Sequence, residues 1–170
     1  MGDEARAPRP AAVARKWLED PGGGHGPVAA AREEGGTHEF NSLVLAGARV
    51  SVAEPGHLVC SLRVSAPLTD AEGRWHAGAI AAAVDNMSST VVFMADGAHV
   101  VTVHVALSYF SPAHLDEEVE MEGRVVSRKG KLTATAVEVR NKESGELVAV
   151  ARQWMTPAAF PTNTNRSSKL

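Results

Sequence analysis

A single carboxylate interrupts an apolar stretch of the sequence. Asp85 follows an alanine-rich run that begins at Ala77 and Gly78, and a charged side chain in such a run needs a partner or a chemical task. The start of a helix offers unpaired backbone N–H groups and the positive end of the helix dipole. This combination suits chemistry at a carbonyl group, with Asp85 as base or orienting carboxylate and the amides of Ala77 and Gly78 holding the oxygen that becomes negative.

The spacing of these groups sets a condition on that chemistry. Ala77 and Asp85 are eight residues apart, which on one straight helix separates their backbones by about 12 Å along the axis. Because an attacking water must come within about 3 Å of the carbonyl carbon, two antiparallel helices from two chains would be needed. We therefore expect two equivalent sites at a two-fold interface. Plain helix packing at Ala77 and a merely exposed or hydrogen-bonded Asp85 are the alternatives that the residues leave open.

Composition narrows the classes of protein to consider. The 170 residues, 44% apolar and 22% charged, predict one compact globular domain. Seventeen basic against 20 acidic residues give a net charge of -3, which argues against nucleic-acid binding. Cys60 is the single cysteine, and the histidines lie scattered without a CxxC or HExxH motif, so we expect neither a disulfide nor a metal site.

One long helix and six strands are the elements that must position the candidate residues. The order of two strands, one helix and four strands leaves no room for parallel crossovers and predicts an α+β fold with an antiparallel sheet. Polar side chains such as Asn86 and Ser88 in the apolar window argue for a core helix over a membrane span. The predicted helices cover 10–19 and 76–94, a glycine-rich connection covers 21–37, and the strands cover 42–53, 57–65, 99–109, 117–128, 131–141 and 145–155.

The small side chains of the central helix allow two interpretations. The helix is either an ordinary core helix or one wrapped closely by a strongly curved sheet, because alanine and glycine let neighbouring backbones approach. In the strand that follows, alternation predicts one face bearing Thr102, His104, Ala106 and Ser108 and the other bearing Val103, Val105, Leu107 and Tyr109.

Several ordered motifs resemble the hot-dog fold thioesterases, in particular the acyl-CoA thioesterase 13 (phenylacetate-degradation-type) subgroup. They are His76-Ala-Gly78, the helix bearing Asp85-Asn86, and the segment Thr102–Pro112, within a similarity over residues 42–156. The resemblance implies a long central helix wrapped by a curved antiparallel sheet of about six strands. It also implies acyl-CoA hydrolysis by a homodimer or dimer of dimers. No metal or redox cofactor is implied, because coenzyme A is part of the substrate.

The resemblance assigns roles to individual residues. Asp85 matches the family's catalytic acid, which activates or orients water or attacks directly. The amide at Ala77, next to Gly78, matches the donor to the thioester oxygen, and Thr102 matches a serine that orients the nucleophile. Asp70 falls where some members have a substrate-positioning asparagine, but a carboxylate there would repel an oxyanion, so its role is open.

Further residues are predicted to contact the substrate. The phosphates of coenzyme A need basic groups, and a basic turn lies where the family contacts the nucleotide. His104 is either a structural strand histidine or part of the coenzyme groove. The predicted contacts are His76, Asp70, His104, Tyr109, Ser111, Pro112, His114, Arg128, Lys129, Gly130 and Lys131.

The ends of the chain lie outside the resemblance. We expect an N-terminal helix and glycine-rich connection at 1–40, a thioesterase domain at 41–157, and a flexible tail at 158–170. The tail ends in Ser168-Lys169-Leu170, the tripeptide that a soluble peroxisomal import receptor binds. A peroxisomal matrix location is therefore predicted.

Two rival functions remain. A hot-dog hydratase or dehydratase would use an adjacent His/Asp pair, but His76 and Asp85 are nine residues apart, about half a turn out of phase on one helix. A non-catalytic acyl-CoA binding protein would keep the groove without turnover. The choice between fatty and aromatic acyl groups, and between dimer and tetramer, is open at this level.

Overall fold

A computed structural model of the chain describes residues 10–20 and 37–158, with side chains in the second range from Phe40 onward. A short 3-10 turn at Ala66–Leu68 precedes the longest helix. The helices are α1 (Pro10–Glu19), α2 (Thr37–Val44) and α3 (Ala77–Asp96), and the strands are β1 (Arg49–Glu54), β2 (His57–Arg63), β3 (Val100–Tyr109), β4 (Glu118–Lys129), β5 (Leu132–Asn141) and β6 (Leu147–Pro157).

The six strands form one antiparallel sheet in the order β1-β2-β4-β5-β6-β3. The β1–β2 hairpin turns at Pro55-Gly56, where Gly56 has a φ of 77°, a conformation that glycine adopts without the steric cost of a Cβ. β3 follows α3 and returns to pair with β6, so it forms one edge of the sheet. The predicted α+β, hot-dog architecture is confirmed.

The sheet curves around α3. This helix contacts every strand of the sheet, and its buried face carries small and medium side chains, among them Ala79, Ala83 and Val84. Of the two interpretations of the alanine-rich helix, the wrapped helix is therefore correct. By length and composition alone α3 could cross a membrane. However, 56% of its most apolar 18-residue stretch is buried inside the fold, as is usual for a core helix.

Both ends of α3 are capped by local contacts. The side chain of His76 accepts a hydrogen bond from the Gly78 N–H through Nδ1 at 3.0 Å. At the other end Gly97 adopts a φ of 73° and donates its N–H to the Phe93 carbonyl at 2.7 Å. These caps satisfy groups that a helix leaves unpaired, and they fix where α3 begins and ends.

The N-terminal part of the chain differs from expectation in one element. α1 forms where predicted, and its Trp17 and Leu18 are buried in the same core as the sheet. Residues 42–44, predicted as strand, belong to α2 instead, because a short apolar run does not distinguish a strand from a buried helix turn. Most of the predicted glycine-rich connection, and the tail from 159, lie outside the described residues.

A β-bulge in β3 reverses part of the predicted alternation. Thr102 pairs with Met155 and His104 pairs with Trp154, with a register shift between them. Met155 is fully buried whereas Trp154 is exposed, and paired residues project from the same face of a sheet. The prediction that Thr102 and His104 share a face is therefore wrong, because the extra residue at the bulge turns His104 to the outer side.

Candidate active site

The carboxylate of Asp85 lies on the exposed side of α3 and is held by the edge strand. The Thr102 hydroxyl donates to Asp85 Oδ1 at 2.6 Å. The Gln153 side chain donates from Nε2 to the same oxygen at 2.5 Å and to the Thr102 hydroxyl oxygen at 2.7 Å. The structure thus brings together Asp85 and Thr102, two of the predicted catalytic residues, and adds Gln153 of β6 as a third member. Asp85, Thr102 and Gln153 are called the carboxylate triad below.

Gln153 is not among the site residues predicted from the sequence, although the burial pattern of β6 contains a signal for it. Inward positions of this strand hold apolar residues such as Ala151 and Met155, and Gln153 occupies the position between them with only 1% of its surface exposed. An amide placed among inward-facing apolar residues requires hydrogen-bonding partners. The period-two pattern of β6 could therefore have identified Gln153.

The first turn of α3 offers one available amide. The Gly78 N–H is occupied by the His76 cap, so of the two predicted donors only Ala77 remains. No hydrogen bond from the Ala77 N–H is formed among the described residues. The Tyr109 hydroxyl donates to the Ala77 carbonyl oxygen at 2.9 Å and ties this turn to β3. The helix N-terminus therefore presents the Ala77 N–H with the positive end of the dipole behind it.

Ala77 and Asp85 line different clefts of the same chain. The cleft beside Ala77 has a volume of about 300 Å³ and is lined by Asp70, Trp75 and Tyr109, among others. The cleft beside Asp85 has a volume of about 380 Å³ and includes Thr102. No cleft recorded in the described part of the chain contains both groups. This separation agrees with the helix geometry that motivated a two-chain site.

Asp70 is fixed in the turn before α3 as an ionised carboxylate. Its Oδ1 accepts from the backbone N–H groups of Arg74 at 2.9 Å and Glu72 at 3.0 Å, and its Oδ2 accepts from Arg74 Nε at 2.9 Å. The Arg74 backbone bond, followed by the Arg74 side chain, holds the pKa of Asp70 below its usual value. The guanidinium therefore offsets the charge that Asp70 brings to the Ala77 cleft.

The basic turn between β4 and β5 is only partly available to an anion. Arg128 donates to Asp96 Oδ2 at 2.6 Å and is thereby anchored to the end of α3. Lys129 and Lys131 are exposed on either side of Gly130, and neither has an ion pair within the described residues. Of the predicted basic contacts, the two lysines are the ones free to meet phosphates.

The other predicted contacts divide between the clefts and the surface. Ser111 and Pro112 line the Ala77 cleft, although the Ser111 hydroxyl also donates to Glu146 at 2.6 Å. His114 lies in the following loop, where its backbone N–H donates to Glu117 at 2.8 Å. His104 projects from the opposite face of the sheet to Thr102. Burial raises the pKa of the Cys60 thiol to about 12, so this cysteine stays protonated and is not a nucleophile.

Comparison with known proteins places this geometry in a family. The thioesterase superfamily family model matches residues 72–148. Acyl-coenzyme A thioesterase 13 from Homo sapiens is 35% identical over 101 residues, which are 59% of this chain and 72% of the relative. The corresponding Mus musculus protein is 31% identical over 101 residues, which are again 59% of this chain and 72% of the relative.

Solved structures agree with this assignment. Zebra fish thioesterase superfamily member 2 superposes with a TM-score of 0.67 at 27% identity, covering 78% of this chain and 93% of that chain. A hypothetical thioesterase with coenzyme A from Streptococcus pneumoniae TIGR4 shares the fold, with a TM-score of 0.62 at 23% identity over 65% of this chain and 85% of its own. The chain therefore belongs to the thioesterase superfamily, in the acyl-coenzyme A thioesterase 13 family of thioester hydrolases.

Proposed function

We propose that the protein hydrolyses acyl-CoA thioesters to a free acid and coenzyme A. The observation that carries this proposal is the carboxylate triad, in which one oxygen of an exposed carboxylate is held by two donors and the other oxygen is left for water. The activity named for the human relative supports the substrate class. The coenzyme A in the Streptococcus pneumoniae structure supports it through the shared fold.

The chemical step uses Asp85 as a base. Asp85 removes a proton from a water molecule as its oxygen bonds to the thioester carbonyl carbon. The carbonyl oxygen becomes negative and is bound by the Ala77 N–H of a second chain, assisted by the helix dipole. When the carbon–sulfur bond breaks, coenzyme A leaves as a thiolate and takes up the proton that Asp85 had accepted.

An edge-to-edge assembly of two chains would complete the site. β3 is an open edge, and the exposed fractions of Val101, Val103 and Val105 are 48%, 57% and 47%. An apolar open edge favours pairing with another strand, whereas the opposite edge, β1, is packed against α1. We place the second copy at β3, with the Ala77 cleft of each chain facing the Asp85 cleft of the other.

The coenzyme is held by groups outside the reacting centre. Lys129 and Lys131 meet its phosphates, because they are the unpaired cations of the β4–β5 turn. Arg128 instead fixes that turn to Asp96. The segment from Tyr109 to Pro112, all of which lines the Ala77 cleft, contacts the pantetheine arm that leads to the thioester.

Release of free thiol from a panel of medium-chain, long-chain and aromatic acyl-CoA substrates tests this function. We expect turnover by the wild type and loss of about 10³-fold or more in kcat for Asp85→Asn, which removes the base but keeps the shape. The matched control is Asp116→Asn, because Asp116 is exposed and has a φ of 68°, which asparagine also adopts readily.

The rival functions predict different results in the same assay. A binding protein would bind acyl-CoA without releasing thiol, and a hydratase would modify the acyl group while the thioester stays intact. Either result with folded wild-type protein would refute the proposal. Equal loss in Asp116→Asn and Asp85→Asn would refute the assignment of Asp85.

A further inference from the structure

We infer that Gln153 is a positioning residue that fixes the rotation of the Asp85 carboxylate and the direction of the Thr102 hydroxyl proton. This inference rests on the proposed hydrolysis. It starts from an amide that is 1% exposed and that directs its only donor atom, Nε2, toward the carboxylate triad.

The hydrogens of the triad can be assigned one by one. Nε2 carries two hydrogens, and it donates to Asp85 Oδ1 at 2.5 Å and to Thr102 Oγ1 at 2.7 Å. Thr102 has one hydroxyl hydrogen, which it donates to Asp85 Oδ1 at 2.6 Å. The Gln153 NH₂ group can only donate, so the hydroxyl hydrogen of Thr102 has no acceptor in the direction of Nε2. The amide therefore sets the direction of the Thr102 bond.

Both donors meet the same carboxylate oxygen. Thr102 and Gln153 bond to Oδ1, and Oδ2 has no hydrogen bond within the described residues. The side-chain carboxylate of an aspartate rotates in a broad energy well, so two donors on one oxygen are what keeps the other directed outward. Gln153 thus keeps Oδ2 turned toward the water that it must deprotonate.

The other half of the amide lowers the stability of the fold. Its Oε1 is buried and has no hydrogen-bond partner among the described residues. A buried carbonyl oxygen without a partner destabilises the folded state. Residues kept at a cost in stability are typical of functional sites. An apolar side chain of similar length would fit the inward position beside Ala151 and Met155 without that cost.

Gln153→Met separates positioning from packing. It removes both donated hydrogen bonds and the orphaned oxygen while keeping the side-chain length. We expect kcat for acyl-CoA hydrolysis to fall about 10- to 100-fold, as for loss of a hydrogen bond to a charged group. KM should stay within about two-fold, and the melting temperature should be unchanged or higher. A merely structural glutamine would instead lower the melting temperature and leave kcat unchanged.

Gln153→Glu supplies an independent readout through pH. It places a second carboxyl group at hydrogen-bond distance from Asp85, and two carboxyl groups so close share a proton. We expect the acidic limb of the kcat–pH profile to move to higher pH. The matched control is Thr135→Val on the paired position of β5, since Thr135 is buried and its hydroxyl donates to the Gln153 backbone oxygen, at 3.5 Å, and not to the carboxylate triad. It should keep the wild-type kcat and pH profile.

The possible outcomes distinguish this inference from the function on which it rests. A wild type that releases no thiol overturns the proposed hydrolysis. A wild type that does turn over, with Gln153→Met at wild-type kcat or Gln153→Glu at the wild-type pH profile, overturns the positioning role alone. If Gln153→Met does not fold, the amide is structural, and only a shifted profile in Gln153→Glu would restore its role.

Discussion

Replacing Thr102 with valine removes one donor from Asp85 with little change in shape. The deleted hydroxyl donates at 2.6 Å to Oδ1. A hydrogen bond to a charged group contributes about 1.5–3 kcal/mol. Thr102 lies on the exposed edge strand, where water can replace part of the lost bond, so the lower end of that range applies. A loss of about 1.5 kcal/mol of transition-state stabilisation lowers kcat by about 10-fold or slightly more, and this is the fall that we expect.

The assay is free-thiol release under saturating acyl-CoA, with Thr102→Ser as the control that keeps the hydroxyl. Serine should retain most of the wild-type kcat. Because Gln153 also donates to Thr102 at 2.7 Å, the double variant with Gln153→Met should lose less than the product of the two single losses. A valine variant with the wild-type kcat, or strictly multiplicative losses, would contradict a coupled triad.

Three further predictions follow from other parts of the molecule. Val103→Lys puts a charge on the open β3 edge, where Val103 is 57% exposed. The variant should show a lower molar mass in light scattering and a lower activity. An active monomer would refute the two-chain site. Asp70→Asn removes a carboxylate whose pKa is lowered in the fold. The melting temperature of the wild type should therefore exceed that of the variant above about pH 5, and the difference should disappear as the pH falls below about 3. A constant difference across this range would contradict the stabilising role of the ionised carboxylate. A fluorescent fusion to the N-terminus should enter peroxisomes and should fail to do so without residues 168–170; retention of peroxisomal fluorescence after the deletion would exclude that address.

Local sequence patterns were sufficient where neighbouring residues determine the structure. The proline at the start of α1, the alanine-rich run of α3 and the Pro55-Gly56 turn act within a few residues of themselves, and the structure contains each element near its predicted position. The choice of Asp85 as the candidate acid belongs to the same class, because its charge contrasts with the neighbouring residues of its own helix. Together with His76-Ala-Gly78 and the segment Thr102–Pro112, Asp85 was also sufficient to identify the family.

Predictions that required the spatial arrangement of distant residues were less successful. The bulge that turns His104 outward depends on the pairing of β3 with β6, and Arg128 meets Asp96 only because the β4–β5 turn packs beside the end of α3. The occupied Gly78 amide depends on the rotamer of a neighbouring histidine, which residue type alone does not specify.

The sequence by itself determined the long helix, most of the strands and the family, and it indicated Asp85 as the candidate acid, because periodicity and residue type are local properties of the chain. Only the tertiary structure decided that Gln153 bonds to Asp85, since these residues are 68 positions apart and the packing of β6 against α3 brings them together. It also decided which residues line each cleft, Asp70 and Tyr109 beside Ala77 and Thr102 beside Asp85, because these residues come from elements far apart in the sequence.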